Sequence, residues 1–139
     1  MKLTAKSEYA LLAMVHLARQ APQAYLSVGD IAAERRIPRK YLEQILLTLK
    51  QARFVRSRKG QTGGYQLAKP AARINLADLI RVLDGSLAPT DSVSRYFYVP
   101  TPIEGERNLL GVFRRIRDFA AETLEQTSLA DVAATKEAP

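Results

Sequence analysis

The sequence predicts a mainly α fold: a winged helix-turn-helix domain with a two-stranded β-wing and a long C-terminal dimerisation helix. Three observations carry this expectation. Residues 38–51 read as an amphipathic helix, with Leu42, Ile45, Leu46 and Leu49 at helical spacing, and a shorter helix and a tight turn precede it. Residues 54–58 and 64–68 alternate like half-buried strands around Lys59-Gly60-Gln61-Thr62-Gly63, the composition of a hairpin. Residues 104–126 form an apolar-sided helix of roughly 30 Å at about 1.5 Å per residue, longer than one small core needs.

In chain order, Thr4 is placed to cap a first helix running to Arg19, with Ala10, Leu11, Met14, Val15 and Ala18 at helical spacing. His16 lies beside that stripe and has no second imidazole or thiolate to share a metal, so it reads as packed or half-exposed. Tyr25-Leu26 suits a short strand. Ser27-Val28-Gly29-Asp30 is a capping signature for a second helix through 31–35, and Arg36-Ile37 turns the chain into Pro38, a residue suited to a first helical turn. Glycines 60, 63 and 64 are expected to supply positive φ at the hairpin. Asn75 caps a helix with Leu76, Leu79, Ile80 and Leu83 inward, closed by Asp84-Gly85. Residues 86–103 lack periodicity, and a stretch of that length is either functional or mobile. The expected divisions are 1–85 for the winged helix-turn-helix domain, 86–103 for an irregular effector or linker segment, 104–127 for the dimerisation helix and 128–139 for a tail in which Leu129, Val132 and the Ala-rich end pack briefly and 136–139 fray.

Composition narrows the chemistry. With 139 residues there is room for one domain plus an extra helix, and 47% hydrophobic residues suffice for a packed core. The chain has no cysteine, which removes disulfides, thiolate nucleophiles and cysteine-ligated metals. Lys2, Lys6 and Glu8 interrupt any N-terminal apolar run, so no signal peptide or membrane span is expected and the location should be cytoplasmic. The net charge of +7 is localised: residues 35–73 hold eleven Lys or Arg and one acid, Glu43, leaving ten basic and thirteen acidic residues elsewhere. A single-sign patch of this size is the footprint of nucleic-acid binding, and the strongly amphipathic, aromatic-anchored helix that a membrane surface would require is missing from it.

The outer face of helix 38–51 has the residue types that read base edges. Arg39 and Lys40 can donate to guanine, Gln44 can bond adenine at two points, and Glu43 can accept from cytosine N4. Leu47 shares that face without an assigned role. At the wing, Arg58, Lys59 and Gly60 are positioned to grip phosphate or enter a minor groove, although solvated loop charges would look the same. The candidate DNA-binding set is Arg39, Lys40, Tyr41, Glu43, Gln44, Arg58, Lys59 and Gly60. The glycine order does not match a nucleotide-binding loop. Along helix 104–126, Leu109, Val112, Phe113, Ile116, Phe119 and Ala120 are the candidate dimer interface; Gly111, at a cost of about 1 kcal/mol, would permit close backbone crossing, although simple tolerance of a glycine explains it nearly as well.

Three segments together, Ile37-Pro-Arg-Lys-Tyr-Leu-Glu-Gln-Ile-Leu, Gly60-x-x-Gly-Gly-Tyr-x-Leu-Ala and Ile74-Asn-Leu-Ala-Asp-Leu-Ile with Asp84-Gly85, resemble the Rrf2 family of bacterial winged-helix regulators. The resemblance extends to Thr127-Ser-Leu-Ala-Asp. It implies a homodimer on partly palindromic promoter DNA, with Glu43 and Gln44 as the base-reading pair, Lys40 as a helix-start contact and Lys59 at the position of a wing arginine. It also implies a sensor segment where many members hold an iron-sulfur cluster through three cysteines and a histidine. Counted without gaps, those slots hold Ser92, Tyr98, Glu104 and Arg107, so no cofactor and no metal is expected.

The function expected is that of a dimeric, cluster-free transcription regulator, read as a repressor, with any small-molecule or protein effector acting near residues 86–108. Tyr96, Phe97 and Tyr98 are the effector candidates; the preferred reading packs them between the winged domain and the last long helix. The alternative is an interaction module with a winged fold and a protein partner. An enzyme is not expected, since one isolated histidine has no nucleophile, carboxylate pair or phosphate loop beside it.

Overall fold

A computed structural model describes residues 1–134 of the chain. Helix α1 (Ala5–Ala18) starts where Thr4 Oγ1 accepts from the Ser7 amide at 3.2 Å, and the same hydroxyl donates to Asp84 Oδ1 at 2.7 Å. Helix α2 (Val28–Arg35) begins three residues earlier than expected because Ser27 Oγ accepts from the Asp30 amide at 3.0 Å, so the capping signature already encloses the first turn. Arg36, at φ 55°, takes the left-handed conformation that ends α2 and turns the chain. Helix α3 (Arg39–Gln51) follows with Pro38 as its cap rather than its first residue. Pro38 has a non-helical ψ of 124°, yet its carbonyl accepts from the Leu42 amide at 2.9 Å.

Strands β1 (Val55–Arg58) and β2 (Gly64–Leu67) pair antiparallel from Val55↔Leu67 to Arg58↔Gly64. Leu26 adds a one-residue bridge to Tyr65, through amide-to-carbonyl bonds of 2.9 and 2.7 Å. That bridge dictates Gly64, whose φ is 141° and where an added Cβ would lie 2.1 Å from the Leu26 carbonyl oxygen. Gly60 also has positive φ. Gly63 does not, contrary to expectation; it is confined instead by the Arg58 carbonyl, 2.0 Å from where its Cβ would be.

Helix α4 (Leu76–Asp84) is capped by Asn75, whose side chain accepts from the Asp78 amide at 2.8 Å. An irregular stretch with one 3-10 turn (Asp91–Val93) leads to α5 (Arg107–Glu125), and α6 (Leu129–Ala134) follows after a short turn. The main core joins α1, α2, α3, the root of the wing and Leu129; Leu42, Ile45, Leu46 and Leu49 are fully buried in it. At about 1.5–3 kcal/mol per buried side chain, those four residues fix α3 firmly to the domain.

The stretch beginning at 128, expected as a tail that packs only briefly through Leu129 and Val132, folds as a short helix on the core: Ser128 and Asp131 cap α6 reciprocally at 2.9 and 3.0 Å, Ser128 bridges Asn75, and Leu129 is fully buried. The expected fraying of 136–139 falls outside the described residues. Residues 86–103 are irregular but packed, since Leu87 joins Ala77, Ile80 and Ala121 in a second cluster, while Ala88 and Val93 meet Leu110 in a third.

Candidate nucleic-acid interface

Helix α3 separates its side chains cleanly. While its apolar stripe is buried, Arg39, Lys40, Glu43, Gln44 and Leu47 are all exposed on the other side. Arg39 Nε lies 3.5 Å from Glu43 Oε1 in an i,i+4 ion pair with both side chains more than half exposed. In the free protein the acidic group is therefore held beside a basic one. Tyr41 stands apart from this set: it is half-buried and meets Tyr9 edge-to-face, with ring centroids 5.6 Å apart, so it braces α3 on α1.

The wing divides its two cations. Arg58 stacks over the Tyr25 ring at 4.2 Å and donates from Nη2 to the Thr62 carbonyl at 2.9 Å, which ties both sides of the turn together. Lys59 is exposed and has no hydrogen bond or ion pair among the described residues. Gly60 beside it has open space around its missing Cβ. Tyr25 had been read only as a strand residue; its aromatic ring two elements away from Arg58 gave no local signal of the contact.

The aromatic run does not pack between the winged domain and α5. Tyr96 is 68% exposed, Phe97 46% and Tyr98 53%, because Leu87, Ala88 and Val93 already fill that interface. The Tyr96 ring lies under the Arg81 guanidinium at 5.1 Å, and Arg81 bonds Glu125 at 2.7 Å. Ser92, Tyr98 and Glu104 form part of a hydrogen-bonded cluster: the Tyr98 hydroxyl donates to Glu104, and Ser92 Oγ pairs with Thr101 Oγ1 and accepts from the Thr101 amide at 3.0 Å. The Tyr98 bond, then Ser92, holds the Glu104 carboxyl below its ordinary range, and the same bond raises the phenol. Arg117 donates to the Val93 carbonyl at 2.8 Å and to Asp118, which also receives Arg95 at 3.0 Å, so this segment is fastened to α5.

Helix α5 is apolar on two sides. Leu110, Phe113, Ala121 and Leu124 face the protein's own clusters, whereas Leu109, Val112, Ile116 and Phe119 are 41–75% exposed at alternating spacings of three and four. Phe113, expected at the dimer interface, thus packs against Ala88, Val93 and Leu110, and Ala120 is half-buried.

A family profile described as "Rrf2: Iron-dependent Transcriptional regulator" matches residues 3–135. The chain belongs to the Rrf2 family. A Mycobacterium tuberculosis relative designated an HTH-type transcriptional regulator is 42% identical over 96% of this chain and 81% of its own length. The HTH-type transcriptional regulator CymR of Bacillus subtilis is 33% identical over 96% of this chain and 90% of its own length. The solved structure titled as CymR, the global cysteine regulator of B. subtilis, aligns with a TM-score of 0.85 at 31% identity and 99% coverage of both chains; the T. potens IscR structure aligns at 0.74, 26% identity and 99% and 94% coverage. Rrf2 proteins are DNA-binding transcription regulators and not enzymes, and this chain is one of them. The iron dependence in the family's description finds no matching donors here: the sequence has no cysteine, and no group of three His, Asp or Glu converges among the described residues. No helix among those residues is long and apolar enough to cross a membrane.

Proposed function

We propose that the protein acts as a homodimeric repressor, reading partly palindromic duplex DNA without an iron-sulfur cluster. The observation that carries this reading is the division of α3 into a fully buried stripe and an exposed face of Arg39, Lys40, Glu43 and Gln44. Lys40 and Gln44 supply donors for purine edges, Glu43 an acceptor for cytosine N4, and Leu47 an apolar contact for a thymine methyl group. Lys59 contacts backbone phosphate or the minor groove from the wing, and Arg58 holds the wing in shape.

The exposed stripe Leu109, Val112, Ile116 and Phe119 supports the dimer, since its spacing is that of a two-helix seam. The effector surface is the exposed aromatic run Tyr96 to Tyr98, beside α5. One neighbour, Staphylococcus aureus CymR, is titled as an oxidised form; with no cysteine, this chain lacks thiol oxidation as a signal.

Selection of random duplex DNA on the purified full chain, with the mass measured by sedimentation, tests this reading. The expected result is a two-fold-symmetric motif bound by a particle of twice 15.5 kDa, and a reporter driven through that motif is silenced by the protein. Monomeric protein, or the absence of an enriched motif, would overturn it.

A further inference from the structure

A cavity lies away from α3 and from the aromatic run, between the end of α1, the following turn and the root of the wing. Its volume is about 400 Å³, within the range of small-molecule sites. Leu17, Ala18, Leu67 and Ala71 give it an apolar floor, and Pro22 and Pro70 stiffen its walls. Arg56 and Lys69 stand at this cavity, and no acidic residue lines it.

Both cations are exposed at the rim, and neither meets an acidic partner among the described residues. Arg56 donates from Nε to Gln66 Oε1 at 2.6 Å, while its terminal nitrogens have no partner among the described residues. Lys69 Nζ lies 4.8 Å from the Phe54 ring centroid and has no acidic partner among them. The 5%-exposed Gln66 completes the frame by donating to the Ala24 carbonyl at 3.3 Å, which joins the turn to the wing strand. An apolar recess rimmed by two positive groups without an acidic partner among the described residues, and with no negative group in its lining, has the chemistry of a site for an amphipathic organic anion.

We propose that this cavity binds a small carboxylate with an apolar body, its carboxylate on Arg56 and Lys69 and its body over Leu17 and Leu67. A guanidinium can take the carboxylate through both oxygens, whereas the neutral amide of the same molecule forfeits that pairing. Because Arg56 and Gln66 are direct partners in the β1–β2 register, an occupant draws on a pair at the root of the wing.

The test uses the ¹⁵N-labelled full chain with 4-phenylbutyrate and, separately, 4-phenylbutyramide at up to roughly millimolar concentration, read as amide shifts. The carboxylate is expected to shift Ala18, Ala24 and Ala68 and to bind about tenfold more tightly than the amide, the worth of one charge-assisted contact. Arg56→Gln with Lys69→Gln should bring the carboxylate down to the level of the amide, and Ala18→Leu, which fills the floor, should abolish both. Equal binding of the two probes, or no shifts at these residues, overturns the proposal. So does displacement of the carboxylate by an equal concentration of inorganic phosphate, which would make the two cations a general phosphate contact.

Discussion

The guanidinium of Arg58 lies 4.2 Å above the ring of Tyr25, a residue 33 positions earlier in the chain, and from there bonds the Thr62 carbonyl across the wing turn. The charge most easily assigned to DNA is thereby committed to the shape of the loop that presents Lys59. Tyr25→Leu should cost about 0.5–1 kcal/mol of local stability, seen as faster amide exchange over 61–64. DNA affinity should fall without a change in its salt slope. A reduced slope would mean that Arg58 itself neutralises a phosphate.

Glu43 and Lys59 should fail differently when removed. Glu43→Ala relaxes discrimination at one base pair, by about 1–3 kcal/mol, and also frees Arg39 from its 3.5 Å ion pair, so affinity for random duplex rises slightly. Lys59→Ala weakens specific and random duplex alike and lowers the log-log salt slope by about one. Binding titrations on both duplexes at several salt concentrations separate the two; identical behaviour of the variants would remove the division between base reading and phosphate contact.

On α5, Ile116→Glu places a charge in the middle of the exposed seam, 49% exposed in the single chain, without touching the inward face. Sedimentation should then give 15.5 kDa with an unchanged circular dichroism spectrum, and the affinity for a symmetric site should drop to that of a single half-site. Phe113→Ala should behave oppositely, lowering the melting temperature through its packing on Ala88 and Val93.

Asp84 carries a pH dependence whose sign follows from its surroundings. Burial pushes its carboxyl up, but hydrogen bonds to its oxygens, Thr4's among them, outweigh that and leave it below the ordinary carboxylate value. The folded state therefore holds its proton less tightly than the unfolded one. The contribution is complete above the unfolded value and is lost as pH falls through the folded one. Asp84→Asn should cost about 1–2 kcal/mol near neutrality and flatten the acid limb of the stability curve; denaturant melts at pH 7 and pH 3 provide the comparison.

Legibility in the sequence followed how one-sided each segment is. Helix α3 has one apolar stripe, so its buried and exposed residues could be separated by spacing alone, and the wing is bracketed by glycines that its geometry requires. Helix α5 could be bounded but not oriented: Leu109 and Leu110, or Val112 and Phe113, are adjacent apolar residues on two different faces, and only the packed segment 86–103 decides which face turns inward. Helix α6 was missed although Ser128 and Asp131 repeat the capping signature of Ser27 and Asp30, because six residues are too few for a periodic pattern. Tyr25 and the Arg95–Asp118–Arg117 group depend on contacts between distant segments, which local spacing cannot report.

The burial of Leu129 makes α6 a support of the core that lies far from it in sequence. Its amide bonds the Ile74 carbonyl at 2.7 Å and its side chain closes the core under α1, while the amino terminus bonds the Ala88 carbonyl at 3.0 Å. Helix α5 is therefore followed by an anchored element, which bonds the turn before α4. A chain cut after Thr127 would not release a self-sufficient reading head; it would leave a hole about one leucine wide beneath the helix on which α3 rests.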